Sequence, residues 1–246
     1  MKDLTVIDDK TCFSKGTGFA TVEHRWCKDL GMFAIDRPIF TIRDDNGRVA
    51  AKGSCLWRTS ACDGCFNLKF YGMYQRDMNA RDVRNEQSWQ ALTGAALSDT
   101  LDRKRTRQTE RVRYMSRGEA FRDPTDVRRI EDTANANPKR KFWIPTRAWR
   151  SRIMRPLIVA LWKRCPNLRI QASTDVTTTR EEQASLDAEG WSTMFFGDDE
   201  AFETLTGEPR HLCAKTWEHD KGACAKRCGK GGCFDKGQTH VHLKQH

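Results

Sequence analysis

From Arg111 to Gly197 the chain alternates short β-prone runs with longer stretches patterned as helices, and this alternation constrains the fold more than any other feature. Arg111 to Met115 (RVRYM), Lys141 to Thr146 (KFWIPT), Leu168 to Ser173 (LRIQAS) and Ser192 to Phe196 (STMFF) read as strands. Between them, Asp123-Pro124-Thr125-Asp126 opens a helix that runs to Ala136 before Asn137-Pro138 stops it. Arg152 to Lys163 is a second helix, and Arg180 to Glu189 is a third, ended by Gly190. Strands separated by helices of this length cannot pair as hairpins; they pair in parallel through right-handed crossovers. The expected fold is α/β: a partial (β/α) barrel of about five or six parallel strands with a Cys-rich C-terminal appendage.

Upstream, Ile39 to Arg43 alternates, Asp44-Asp45-Asn46-Gly47 supplies a turn, and Arg48 to Ser54 runs on, which is a hairpin signature. Its second arm leads into Cys55, and a helix is expected from Tyr71 to about Asp102. The pattern divides the chain into an N-terminal extension (1–38), the partial barrel (39–205) and a Cys-rich segment (206–246).

In parallel α/β folds the working residues gather at the C-terminal ends of the strands. Here those ends carry Cys55, Ser116 to Glu119, Thr146-Arg147, Ser173 to Asp175 and Gly197-Asp198, which makes Arg147, Asp175 and Asp198 candidates for substrate or cofactor contact. Cys55, Cys62 and Cys65 have C-x6-C-x2-C spacing, with Phe66 directly after the third. Three thiolates in one loop suit an iron-sulfur cluster with one iron left open. The rival is zinc, with His24 or Cys27 as fourth ligand. Cys213, Cys224, Cys228 and Cys233 crowd a Gly- and Lys-rich stretch with almost no core of its own, so a metal would order it, either an auxiliary cluster or zinc. Cys12, Cys27 and Cys165 read as small buried apolar residues. Trp143, Trp149 and Trp162 read as core or groove walls. His240 and His242 share a strand face but read as exposed terminal residues.

The formal charge of +10 points to a polyanionic partner, DNA or a nucleotide. The densest run is Arg103, Lys104, Arg105, Arg107, Arg111 and Arg113, followed by Arg128, Arg129, Lys139, Arg140 and Lys141. No apolar stretch approaches the length of a membrane span, and MKDLTVIDDK lacks the apolar run of a secretory signal, so a cytoplasmic protein with no membrane partner is expected. Ten cysteines in a reducing compartment favour metal ligation over disulfides.

The cysteine loop with its aromatic, Ser116-Arg117-Gly118-Glu119 after the next strand and Ser173-Thr174-Asp175 after a later one together resemble the radical S-adenosylmethionine enzymes. The resemblance implies that Cys55, Cys62 and Cys65 bind a 4Fe-4S cluster, that Gly118, Glu119, Ser173 and Asp175 contact S-adenosylmethionine, and that a flavodoxin or ferredoxin type of electron donor is needed. The spacing departs from that family's usual C-x3-C-x2-C, and Arg117 replaces the first glycine of its Gly-Gly-Glu segment, where a guanidinium suits a substrate carboxylate or phosphate. Asn85, Pro138 with Phe142 and Thr146-Arg147, Pro166-Asn167, the late cysteines and His242 or His246 make the chain similar to a group of phage proteins. That similarity implies an enzyme of thymidine hypermodification, isomerising a glycine-thymidine adduct in DNA. The alternative is a non-catalytic zinc protein that binds nucleic acid.

Overall fold

The computed structural model describes residues 4–5, 25–27, 32–64, 66–91, 93–94, 111–206, 211–213, 216, 218, 233 and 240–244. Five strands open the chain: β1 (Leu4–Thr5), β2 (Arg25–Cys27), β3 (Met32–Asp36), β4 (Ile42–Arg43) and β5 (Val49–Ala51). Helix α1 (Phe66–Ala91), β6 (Arg111–Arg117), α2 (Pro124–Ala136), β7 (Lys141–Thr146), α3 (Met154–Arg164) and β8 (Leu168–Asp175) follow. The chain continues through α4 (Arg180–Ala188), β9 (Ser192–Gly197), α5 (Asp199–Thr206), β10 (His211–Leu212) and β11 (His240–Lys244).

Local chemistry sets several of these boundaries. Asp123 sits in extended backbone and accepts from the N–H groups of Thr125 and Asp126, Pro124 opens α2, and the Asn137 N–H closes it on the Ala134 carbonyl. At α4, Thr179 and Glu182 each accept the other's backbone N–H, a reciprocal capping box. Gly190, at φ +81°, turns the chain out of that helix.

The main sheet has eight strands in the order β10-β11-β9-β8-β7-β6-β3-β2, and every neighbouring pair is parallel except β2 with β3. From β3 the winding proceeds through β6, β7, β8, β9 and β11 without reversing, so all these strands end on one edge. This is the partial β/α barrel expected from the alternation. One face of the sheet, with Val112, Tyr114, Phe142, Ile144, Ile170 and Ala172, packs against Val127 and Ile130 of α2 and Ile158 and Leu161 of α3. The other face holds Met32, Trp143, Met194 and Val241, against which Cys213 and Cys233 pack. With both faces covered, β6, β7, β8 and β9 are buried at most positions, polar ones such as Gln171, Thr174 and Thr193 included.

Two expectations are corrected by the fold. The hairpin of β4 and β5 forms, but in a separate three-stranded sheet with β1, because a two-arm hairpin closes on itself in antiparallel pairing. The first strand of the main sheet is instead β3, which lies inside the segment expected as an extension (1–38). Helix α1 begins at Phe66, immediately after the cysteine loop, rather than at Tyr71. Among the described residues no helix is long and apolar enough to cross a membrane.

Candidate functional site

The cysteine loop reaches the C-terminal edge of the sheet by a detour. After β3 ends, residues 39–53 run out through the hairpin and return, and the Ser54 N–H donates to the Pro38 carbonyl at 2.8 Å. Gly53 makes the return possible, since a Cβ there would lie 2.8 Å from the backbone of Phe40 and Thr41. Cys55 therefore stands at the end of β3, where its half-buried side chain packs with Ile39 and Met78. The loop is on the expected edge, delivered there by a different strand.

Ser54 ties this loop to the end of β6. Its hydroxyl donates to the Pro38 carbonyl at 2.7 Å and accepts the Glu119 N–H at 2.8 Å. Glu119 is 5% exposed, and its carboxylate accepts from the N–H groups of Ala120 and Phe121, the Thr146 hydroxyl and the Arg147 N–H at 2.8 to 3.2 Å. Glu119 thus braces the ends of β6 and β7 against each other.

Behind this junction lies a charged cluster that the sequence did not signal. Arg37, 0% exposed, donates to both Glu86 oxygens at 2.7 and 2.9 Å, to Asp126 at 2.9 Å and to the Ala120 carbonyl at 3.2 Å. Arg122 donates to Glu86 at 2.7 Å. Arg117, taken from the sequence as a substrate candidate, is buried and bonded to Asp82, with Asp36 at 3.6 Å. It is a structural ion pair because β6 delivers it against β3 and α1.

A second tie joins the loop to β7 and β8. The Thr59 hydroxyl donates to Asp175 at 2.9 Å, and Arg147 donates to Thr59 at 3.3 Å and also to Asp175. The Thr59 N–H points at the Cys62 sulfur at 3.5 Å. Ser173, half-buried, offers its carbonyl to the Trp149 indole N–H at 2.9 Å. Asp175 lines a cavity of about 340 Å³ with Val176, Thr178, Arg180, Phe195 and Asp198. Asp198, exposed, also accepts the Ala201 N–H at 2.8 Å as it enters α5.

The electrostatics follow from burial and pairing. Burial alone pushes Glu86 and Asp126 up, but Arg37, bonded to both, outweighs it with help from Arg122 at Glu86, and both carboxyls are held below their usual range. At Asp175 burial is likewise outweighed, by Arg147 and Thr177. Glu119 goes the other way: burial exceeds its four hydrogen bonds and raises it. The stability contributed by the three lowered carboxyls is complete above the unfolded value of about 4 and is lost as pH falls through their lower folded values. Glu119 opposes this, favouring the folded state at low pH and less so as pH rises through its raised value. Three buried carboxyls against one, with Glu131 and Glu181 at the surface lowered as well, predict a urea midpoint that holds near neutral pH and falls steadily below about pH 4; a midpoint unchanged in that range would refute the balance.

The remaining candidates are placed as follows. Cys65, Cys224, Cys228 and His246 lie outside the described residues, and the described cysteines Cys55, Cys62, Cys165, Cys213 and Cys233 are not in disulfides. Among the described residues no group of three or more His, Cys, Asp and Glu converges on one point. Cys165 is buried, as expected. His242 is buried rather than exposed: its Nε2 is 2.9 Å from the Gly197 carbonyl and its ring stacks on Phe202, because β11 inserts beside β9. Of the basic run, residues 103–107 lie outside the described residues. Arg111 and Lys141 are register partners at the N-terminal ends of β6 and β7, opposite the cysteine loop.

The residues present suit a thiolate-bound cluster. Cys55 and Cys62 are half-buried cysteines outside any disulfide on the edge loop, and the Thr59 N–H is directed at Cys62. On α1, next to Met78 in the Cys55 cluster, Asn79 is 1% exposed and neither polar atom of its side chain has a hydrogen-bond partner. No protein-family model, curated protein or solved structure matches this chain.

Proposed function

We propose that the protein is a radical S-adenosylmethionine enzyme acting on a modified nucleobase in DNA, with isomerisation of a glycine-thymidine adduct as its reaction. The observation that carries this reading is the convergence, on the C-terminal edge of a partial β/α barrel, of the Cys55–Cys62 loop, the Gly118-Glu119 junction, Arg147 and Asp175. A 4Fe-4S cluster with S-adenosylmethionine supplies, when bound, one-electron chemistry that ends in hydrogen abstraction.

The chain's own residues do the positioning. Cys55, Cys62 and Cys65 would hold the iron. Glu119 keeps the ends of β6 and β7 in register, and Asp175 with Arg147 closes the far side of the loop. Arg150, 4.0 Å from Asp175, and Arg180, on the Asp175 cavity, put positive charge at the same edge where a phosphate backbone would approach. A base in duplex DNA reaches such a recessed edge by flipping, at about a few kcal/mol. An electron donor of flavodoxin or ferredoxin type completes the system.

Protein purified without air is expected to be brown and iron-bearing, with an electron paramagnetic resonance signal that changes when S-adenosylmethionine is added. Cys62→Ala is expected to lose most of that iron. Incubation of the reduced protein and cofactor with DNA carrying the glycine adduct should yield an isomer of unchanged mass but new retention in nucleoside mass spectrometry. A colourless, zinc-bearing protein that binds DNA without changing it would instead establish the non-catalytic reading.

A further inference from the structure

We propose that Thr59 is a positioning residue whose single hydroxyl hydrogen is shared between the Asp175 carboxylate and the Cys62 sulfur, so that the state of the Arg147–Asp175 pair is felt at the cluster. The proposal rests on the cluster reading given above. Three segments distant in sequence meet at this one side chain. The Thr59 oxygen lies 2.9 Å from Asp175 Oδ2 and 3.8 Å from Cys62 Sγ, while Arg147 donates to it at 3.3 Å. The backbone holds the arrangement: the Cys62 N–H donates to the Thr59 carbonyl at 2.9 Å, and the Thr59 N–H points back at the Cys62 sulfur at 3.5 Å.

A hydroxyl has one hydrogen and makes one donation at a time. With a carboxylate at 2.9 Å and a sulfur at 3.8 Å, the hydrogen rests on Asp175. Weakening Asp175 as an acceptor, by neutralising it or by engaging it with a ligand's own donors, turns the hydrogen toward Cys62. A donor to a ligating sulfur stabilises the more negative, reduced cluster and raises its potential. Ligand occupancy at the end of β8 is thereby linked to the ease of electron entry at the loop.

The test is a double-mutant cycle read as cluster midpoint potential at matched iron content, in the full chain purified without air. Asp175→Asn is expected to shift the potential upward. The shift persists when Thr59→Ser is combined with it and falls in Thr59→Val to the part that the lost charge exerts through space. A shift of equal size in the Thr59→Val background, or none in Asp175→Asn itself, overturns the proposal. Titration with S-adenosylmethionine repeats the comparison with Asp175 intact. A larger shift in wild type and Thr59→Ser than in Thr59→Val supports the link, and equal shifts overturn it. Wild-type protein without iron would defeat the cluster reading and this proposal together; iron at full load with a shift independent of Thr59 defeats this proposal alone.

Discussion

Replacement of Arg37 by methionine is expected to destabilise the fold by about 3–5 kcal/mol, the usual cost of removing one partner from a buried ion pair. The expectation rests on what the substitution leaves behind. Glu86 and Asp126 are 3% and 0% exposed, and without the guanidinium two carboxylates face one another in a site that water does not reach. Arg122 still reaches both, with its guanidinium on Glu86 at 2.7 Å and its N–H on Asp126 at 2.9 Å, and Arg129 lies 3.4 Å from Asp126, but neither restores the charge lost from between the two carboxylates. The Ala120 carbonyl also loses its donor. For a chain of this size the loss corresponds to a fall in Tm of roughly 6–20 °C. Adding Glu86→Gln and Asp126→Asn to Arg37→Met should recover much of it, because neutral amides cost far less to bury than unpaired charge. Thermal unfolding of the single and triple variants checks both statements; a single variant within about 1 kcal/mol of wild type would show that the cluster is not doing what its geometry implies.

Gly118→Ala is expected to cost about 1–2 kcal/mol for the left-handed backbone alone, and a further 1–3 kcal/mol or so for crowding. Gly118 has φ +82°, and a Cβ there would lie 2.5 Å from the Arg37 carbonyl oxygen and 2.7 Å from the Ser54 hydroxyl. The first neighbour is backbone and cannot yield cheaply. The second precedes Cys55, so the strain is passed to the cysteine loop. Gly47→Ala is the control: φ is +73° but nothing lies within 4 Å, so only the backbone cost applies. The difference between the two variants in urea midpoint measures the close approach, and equal losses would remove the argument for it. Gly118→Ala, unlike Gly47→Ala, should also lower iron retention.

Much of the barrel was legible because its signals are local. Asp123, Pro124 and Asn137 bound α2 within their own turns, Thr179 and Glu182 do the same for α4, and the short β-prone runs of β7, β8 and β9 stand out between helical stretches. The placement of Arg147, Asp175 and Asp198 on one edge followed from that alternation, whereas Cys55 reaches the same edge by way of β3, which it did not mark. What escaped was of another kind. β3 is a run of only five residues without the alternation of a half-buried strand, and Gly31 before it is too weak a signal to separate it from an extension. Arg37 meets Glu86 and Asp126 across 49 and 89 residues, and no periodicity records such a meeting. Arg117 stands at a strand end, where a working residue is expected, and is instead held by Asp82 on α1.

By itself the sequence determined the order of strands and helices from Arg111 onward, the edge on which Arg147, Asp175 and Asp198 would lie and the thiol chemistry of the cysteine loop. These depend on residue type, spacing and short-range hydrogen bonds, which are written along the chain. The tertiary structure decided which side chains are available there. It surrounded the Glu119 carboxylate with four donors, buried Arg117 beside Asp82 and Asp36, and set Thr59 between Cys62 and Asp175. Such assignments depend on which groups remain after every buried charge has found its counterpart, and that is settled only when the chain is packed.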